Sequence, residues 1–312
     1  MALDVGKREE IKFEDEQDWL DARTHDLTSS DISALFGCNK WVTEFDLWHR
    51  KASGDVPAFE ATERMILGNV LESGIAEHAA NVHNWKIQKF KTYIRRPDLR
   101  IGSSFDYKRL AVNDFTTAVI EIKKIDYLIF RDQFIDEDDY NEAPPYIEFQ
   151  VQHEMLVSGL DHAVICILVG GNEMKYFERE ADEGVQQAIL EKAAEFWESV
   201  DTGIPPKADF ERDADNIAAM YVFAEAGKIM DATGDEHIRS LCEQITQLGK
   251  DVRTLDETRK AFRAELLTLI DDAERVLVDG FTISAKMIGE KEISFIRKPS
   301  RSLRVTAKKV KV

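Results

Sequence analysis

The sequence predicts an α/β domain followed by a helical arm and a short β tail. Three observations lead there. Runs rich in Val, Ile, Phe and Tyr at about 86–95, 99–110, 116–125 and 162–169 read as strands. Apolar residues recur at helical spacing over 60–82, 146–158 and 182–202. Beyond Gly203-Ile-Pro-Pro206, the clearest boundary in the chain, the apolar spacing alternates between three and four. The expected divisions are 1–206, 207–275 and 276–312.

The elements follow in order. Residues 1–27 are charged and amphipathic and contain Trp19. Ser29-Ser30-Asp31 reads as a helix start, with Ile32, Leu35 and Phe36 as the apolar face. Thr43 opens a second helix through Leu47 and Trp48. In the third, Met65, Leu67, Val70, Leu71, Ile75 and Ala79 share the apolar spacing. Phe130 to Pro145 reads as a polar, acidic loop. His162–Val169 reads as a buried strand closed by Gly170-Gly171, with Lys175–Arg179 as its hairpin partner. In the arm, Ile238, Leu241, Ile245, Leu248, Val252 and Leu255, then Phe262, Leu266 and Leu269, form a heptad seam of about five repeats, interrupted in propensity by Gly249. Val276–Ile283 and Glu292–Arg297 read as short strands before a basic tail.

Composition narrows the class. A hydrophobic share of 44% over 312 residues supports a real core. No run approaches the roughly 18 apolar residues that a membrane span requires, and the first ten residues lack the apolar region of a signal peptide. Cys38, Cys166 and Cys242 are far apart and form no metal-binding spacing, which points to a reduced, cytoplasmic protein. The net charge of −18 argues against general affinity for nucleic acid, but charge acts locally. From Lys86 to Arg109 there are eight Lys or Arg against two Asp; from Arg297 to Lys311 there are seven and no acid.

The pattern that carries chemistry is Asp106, fourteen residues, then Glu121-Ile122-Lys123. Side chains alternate along a strand, so Val119, Glu121 and Lys123 share one face. A hairpin through Val112-Asn113-Asp114 brings Asp106 beside them. Two carboxylates are hard oxygen ligands suited to Mg²⁺. The adjacent lysine can orient a water or steady an oxyanion. Glu72, in Arg64-x-x-x-Gly68-x-x-x-Glu72, is a candidate third carboxylate, with Gly68 allowing close backbone approach. Gln150 and Gln152, amid apolar residues before His153, suggest a polar contact facing a groove.

Together these motifs resemble the YqaJ-type viral recombinase, or phage lambda exonuclease-like, family of the PD-(D/E)XK nuclease superfamily. The resemblance covers about residues 17–200. Trp19-x-x-x-Arg23 with Ser30, Gly68-x-x-x-Glu72, Ser104-Phe105-Asp106, Glu121-Ile122-Lys123 and Gln150-Val151-Gln152 stand in the family's order. Phe105 and Tyr107 depart from the usual Pro and Gly around the ligand Asp, and the turn from Asp106 to Glu121 is lengthened.

The resemblance implies a restriction-endonuclease-like core, a mixed sheet flanked by helices. It implies that Asp106 and Glu121 bind Mg²⁺, with Mn²⁺ as a substitute, helped by the Ile122 carbonyl and Glu72. Lys123 is placed beside the scissile phosphate. Arg23, Ser30, Ser104 and Gln150 are expected to form a 5′-phosphate pocket, a donor set that suits a phosphate dianion. The implied activity is 5′→3′ exonuclease action on double-stranded DNA ends in phage or prophage recombination, inside a bacterial host cell. The implied partners are DNA ends, a phage single-strand annealing protein and further copies of the chain, with a trimer expected. Two other readings stay open: a structure-specific or single-strand nuclease on the same site, and a non-catalytic DNA-end-binding scaffold with the arm as its interaction module.

Overall fold

The computed structural model describes residues 5–12, 20, 22–54, 62–112, 115–137, 140–292, 294 and 301–306. The chain forms two compact units, Met1–Ala214 and Asp215–Val312.

The first unit contains β1 (Glu9–Ile11), β2 (Leu27–Thr28), α1 (Ser29–Leu35), α2 (Glu44–Ser53), α3 (Glu63–His83), β3 (Ile87–Lys89), β4 (Tyr93–Arg96), β5 (Ile101–Ser103), β6 (Tyr107–Arg109), β7 (Ala118–Ile125), α4 (Tyr127–Gln133), β8 (Ile135–Glu137), β9 (Tyr140–Glu142), α5 (Pro145–Ser158), β10 (His162–Val169), β11 (Glu173–Glu180) and α6 (Glu183–Thr202). Its larger sheet has five strands in the order β11-β10-β7-β6-β3. β7 pairs parallel with β10 and antiparallel with β6, so the sheet is mixed. A four-stranded sheet, β1-β4-β5-β2, lies alongside in sequence.

The alternation of β7 assigns its two faces. Ala118 and Ile120 pack with Ile75, Ala76 and Ala79 of α3; Val119 packs with Val151 and Met155 of α5. Covered on both faces, β10 reads as the continuous apolar run His162-Ala-Val-Ile-Cys-Ile-Leu-Val169 rather than as an alternating one. Each fully buried Val, Ile or Leu there contributes roughly 1.5–3 kcal/mol of apolar transfer. This is a mixed sheet flanked by helices, as the sequence anticipates.

Helix ends follow side-chain chemistry. The predicted start of α1 is a capping box, with the Thr28 and Asp31 side chains serving each other's turn. Thr43 caps α2 by accepting from Asp46 N at 3.0 Å. α6 runs from the Asp182 cap to Gly203, whose φ of 70° closes the helix in the left-handed region.

Five expectations need correction. Residues 99–110 are not one strand: β5 belongs to the smaller sheet and β6 to the larger, and Ser104-Phe105-Asp106 carries the chain between them. Phe105 is buried and packs on Phe90 with ring centroids 4.7 Å apart, a hydrophobic anchor that a continuous strand would not supply. Residues 86–95 likewise divide into β3 and β4. The acidic loop at 130–145 includes the last turn of α4 and the hairpin β8–β9. The apolar stripe of α3 is buried only from Ile75 onward; Met65, Leu67 and Val70 are exposed, because helical spacing fixes which residues share a face but not what covers it. A Cβ on Gly68 would meet nothing within 4 Å, so no part of the described chain approaches that glycine. Trp19, Asn113 and Asp114 lie outside the described residues.

The second unit contains α7 (Ala214–Met220, beginning at the boundary), α8 (Glu236–Ile270), β12 (Arg275–Val278) and β13 (Phe281–Ser284). α8 is the predicted seam as a single 35-residue helix, capped by Asp235, with no buried residue. The expected strand Val276–Ile283 is instead a hairpin, turning at Gly280 with φ of 80°. Of the expected strand Glu292–Arg297, only Glu292 and Ser294 are described.

Candidate active site

The pairing of β6 with β7 places the acids. Tyr107 faces Ile120 in the antiparallel register, so Asp106, one residue earlier, comes level with the Glu121–Ile122 segment. β6 begins only at Tyr107, and the Asp106 side chain continues the ladder in its place: Ile122 N donates to Asp106 Oδ2 at 2.8 Å. The carbonyl of a strand residue points to the same edge as its N–H. The Ile122 carbonyl therefore faces the same edge, where β6 is absent.

Glu121 and Lys123 project from the face of β7 that α5 covers. Glu121 is buried. Its Oε1 accepts from Lys123 Nζ at 2.5 Å and from Gln150 Nε2 at 2.7 Å. Lys123 Nζ also donates to Gln150 Oε1 at 2.9 Å. The Gln150 amide is thus read at both ends, oxygen toward the ammonium and nitrogen toward the carboxylate; a flipped amide would set like against like. Gln150 Nε2 makes a further bond to Glu154 Oε1 at 2.9 Å. Glu154 is wholly buried, and its Oε2 has no hydrogen-bond partner.

These groups shift one another. Burial and then the charge of Glu121 raise the Asp106 pKa well above the usual range, against the opposing pull of Lys123 and the Ile122 N–H; Glu72 adds to the rise. Burial raises Glu154 well above its ordinary value, and Glu121 pushes in the same direction. Burial works to lower Lys123, but the Glu121 carboxylate overrides it and the ammonium is held more firmly. The site carries surplus negative charge.

A divalent cation answers that surplus. Asp106, Glu121 and the Ile122 carbonyl offer hard oxygens on one edge of β7, a small donor set that suits an ion keeping most of its waters, as Mg²⁺ does. Glu72, whose charge reaches Asp106, pairs through its Oε1 with Lys89 Nζ at 3.1 Å. Among the described residues, no three His, Cys, Asp or Glu side chains group closely enough to hold a metal.

Arg23 and Ser30 form a second set. Arg23 Nη2 donates to Ser30 Oγ at 3.3 Å, and Ser30 Oγ lies 3.1 Å from Thr28 Oγ1. Lys51, which no motif in the sequence marks out, frames them. Its Nζ pairs with Asp31 at 3.0 Å and donates to the carbonyls of Arg23 at 2.8 Å and Asp26 at 2.7 Å. Burial works to raise Asp31, but Lys51, the Thr28 N–H and Arg23 hold it below its ordinary value. Buried Asp26 is paired with Arg95 at 2.7 Å. Ser104 lies in the link before Asp106, its carbonyl accepting from Ser103 Oγ at 2.9 Å. Gln150, expected in this pocket, makes its described bonds to Glu121, Lys123 and Glu154 instead. Gln152 bonds the backbone at Glu180 and Asp182, a structural role. His153 is buried in the core with its pKa lowered by burial to about 3, a neutral ring.

Residues 18–161 match the family model of the YqaJ-like viral recombinase domain. Every residue of both sets falls within it, whereas β11 and α6 lie beyond its matched end. Uncharacterized protein YqaJ of Bacillus subtilis (strain 168) is 29% identical over 254 residues, 78% of this chain and 76% of that protein. Two solved structures, LHK-Exo in complex with dAMP and the alkaline exonuclease LHK-Exo from Laribacter hongkongensis, are each 16% identical and cover 65% of this chain and 100% of their own. Their TM-scores are 0.47 and 0.46.

Glu154, missed in the sequence, is the one residue of the YqaJ-like domain's acidic cluster with a retrospective signal. It follows Gln150 by four positions, one helical turn, which places the two side chains on one face of α5.

Proposed function

We propose that this protein is a Mg²⁺-dependent 5′→3′ exonuclease that resects double-stranded DNA ends in phage-type recombination, leaving 3′ single strands for an annealing protein. The observation that carries the reading is the Asp106–Glu121–Lys123–Gln150 cluster: carboxylates in excess, one ammonium locked among them, and the whole assembly inside a YqaJ-like domain.

Asp106, Glu121 and the Ile122 carbonyl would hold the ion. When bound, it supplies Lewis-acid activation and charge neutralisation at a phosphodiester. The protein's own groups do the rest. Lys123, fixed by Glu121 and Gln150, presents a positive charge where the phosphoryl oxygens gather negative charge in the transition state. Because its carboxylate and amide partners are already in place, little reorganisation is needed at the moment of reaction. Arg23, with the Ser30 hydroxyl, is a donor pair for a terminal phosphate, and Lys51 keeps its loop from moving. Holding the 5′-terminal phosphate there selects which bond reaches the metal site and hence the polarity.

The test uses linear duplex labelled at either end, with and without Mg²⁺, and with 5′-phosphate or 5′-hydroxyl termini. Mg²⁺-dependent loss from the 5′ end, faster with the phosphate, is the expected outcome. Equal rates on both termini sink the pocket, and no degradation sinks the enzyme.

A further inference from the structure

Trp41 is 72% exposed, yet the loop that carries it is rigidly held. Asn39 Oδ1 accepts from Trp41 N at 2.9 Å and from Val42 N at 3.0 Å, an Asx turn that fixes the backbone on both sides of the indole. The Asn39 amide in turn donates to Ser33 Oγ at 3.0 Å and to the Ser30 carbonyl at 3.4 Å, and Arg212 donates to the Asn39 carbonyl. A large aromatic face is thus held out on a braced support.

Its position connects the two sets of the candidate site. Through Asn39 the loop is tied to Ser30, the hydroxyl of the proposed phosphate pocket. On its other side the indole meets the Tyr146 ring edge-on, with centroids 5.6 Å apart. Tyr146 precedes Gln150 by one helical turn on α5, and Gln150 bonds Lys123. The positive charges of Lys123 and Arg64 reach the Tyr146 hydroxyl, and Lys40 lies 5.9 Å from its ring. Lys123 is neutralised by Glu121, but Lys40 and Arg64 still bring positive charge beside this aromatic pair, which suits a phosphate-bearing partner.

We propose that Trp41 is a stacking platform for the 5′-terminal nucleobase of a DNA end. The proposal deepens the exonuclease reading and rests on it. Every base offers a π-face, so the contact is indifferent to sequence, as an enzyme that consumes any end requires. The phosphate would be gripped at Arg23 and Ser30 while the base lies against the indole. Because the loop is already ordered, little conformational entropy is lost on stacking.

The test measures binding in EDTA, so that cleavage does not enter. The probe is a 5′-phosphorylated duplex carrying 2-aminopurine as its 5′-terminal base. Trp41→Ala is expected to weaken binding about 5- to 100-fold, the range for loss of one base–aromatic stack. The 2-aminopurine fluorescence change seen with the wild type should disappear, and Trp41→Phe should restore most of both. Wild-type affinity and fluorescence response in Trp41→Ala would overturn the proposal. So would a fall in the oligomer's mass by light scattering in Trp41→Ala, since the indole would then serve a contact between copies. The exonuclease reading fails separately, if the wild type does not degrade the same duplex in Mg²⁺.

Discussion

Two clusters of buried acids in the same domain are handled in opposite ways. Around α1, each acid has a cation of its own, Asp26 with Arg95 and Asp31 with Lys51, although burial still raises the Asp26 pKa. Around β7, among the described residues, Asp106, Glu121 and Glu154 gather about Lys123, with Lys89 farther off beside Glu72, and Asp106 and Glu154 are pushed toward their protonated forms. In the first cluster acids and cations stand in pairs; in the second, among the described residues, the acids gather about one closely held ammonium. The difference teaches that the same residue types build a frame where each acid has its own cation and a candidate metal site where several share one.

The largest expected effect breaks the under-compensated cluster. Lys123→Ala should lower the Mg²⁺-dependent degradation rate of linear duplex by about 10²–10³-fold, the range for losing one preorganised electrostatic donor. Affinity for DNA ends, measured without metal, should change far less. A rate within threefold of wild type would move the reactive centre elsewhere.

Next is the compensated frame. Lys51→Met leaves the Asp31 carboxylate and two carbonyls without their partner. Breaking a buried ion pair costs about 3–5 kcal/mol, and the partial exposure of Asp31 puts the expected loss at the lower end. The pH dependence checks the cause. Because Asp31 is held below its ordinary pKa, its stabilising contribution is full above the unfolded value of about 3.9 and is lost as the pH falls through the folded value. Denaturant melts of Lys51→Met should therefore differ from wild type at pH 6 and converge toward it below pH 4. A constant difference would assign the loss to packing.

Much of this contrast was legible in the sequence, and the reasons for the remainder are physical. Glu121 and Lys123 share a face because strand alternation is a local rule, and that placement follows from the sequence alone. The Asp106 junction did not follow: that the chain changes sheets at Ser104–Asp106 depends on which strands pair, which is not a local property. Lys51, and Glu154 but for its spacing from Gln150, escape the sequence for the same reason. A lysine near a helix end and a glutamate in a helix look like surface residues until their partners, Asp31 more than a turn away in another helix and Gln150 turned toward β7, are known. The exposed half of α3 shows the converse, a clear apolar period with nothing in the described chain to cover it.

Arg23 tests whether the cation beside Ser30 has the proposed use. A charge-assisted hydrogen bond is worth about 1.5–3 kcal/mol. Arg23→Ala should thus reduce the preference for a 5′-phosphate over a 5′-hydroxyl end by roughly 10- to 100-fold in competition binding, while affinity for the hydroxyl end stays close to wild type. Equal losses on both ends would make Arg23 a general contact to the backbone rather than a reader of the terminus.

The smallest effect is also the one with the least expected sign. Glu154 is wholly buried with its folded pKa raised, so the folded state favours the proton. Stability is then greatest below the unfolded pKa of about 4.3 and declines as the pH rises toward the folded value. Glu154→Gln keeps an acceptor for Gln150 Nε2 and cannot ionise. At pH 8 and without metal it should be more stable than wild type, read as a rise in melting temperature, and the gain should vanish below pH 4. Glu154→Leu removes the acceptor, releasing the Gln150 amide that holds Lys123 against Glu121, and should slow degradation where Glu154→Gln holds most of the rate. If Glu154→Gln is instead as slow as Glu154→Leu, the carboxyl is needed for its proton and not for the position of Gln150, and the under-compensated cluster contains a third reacting acid.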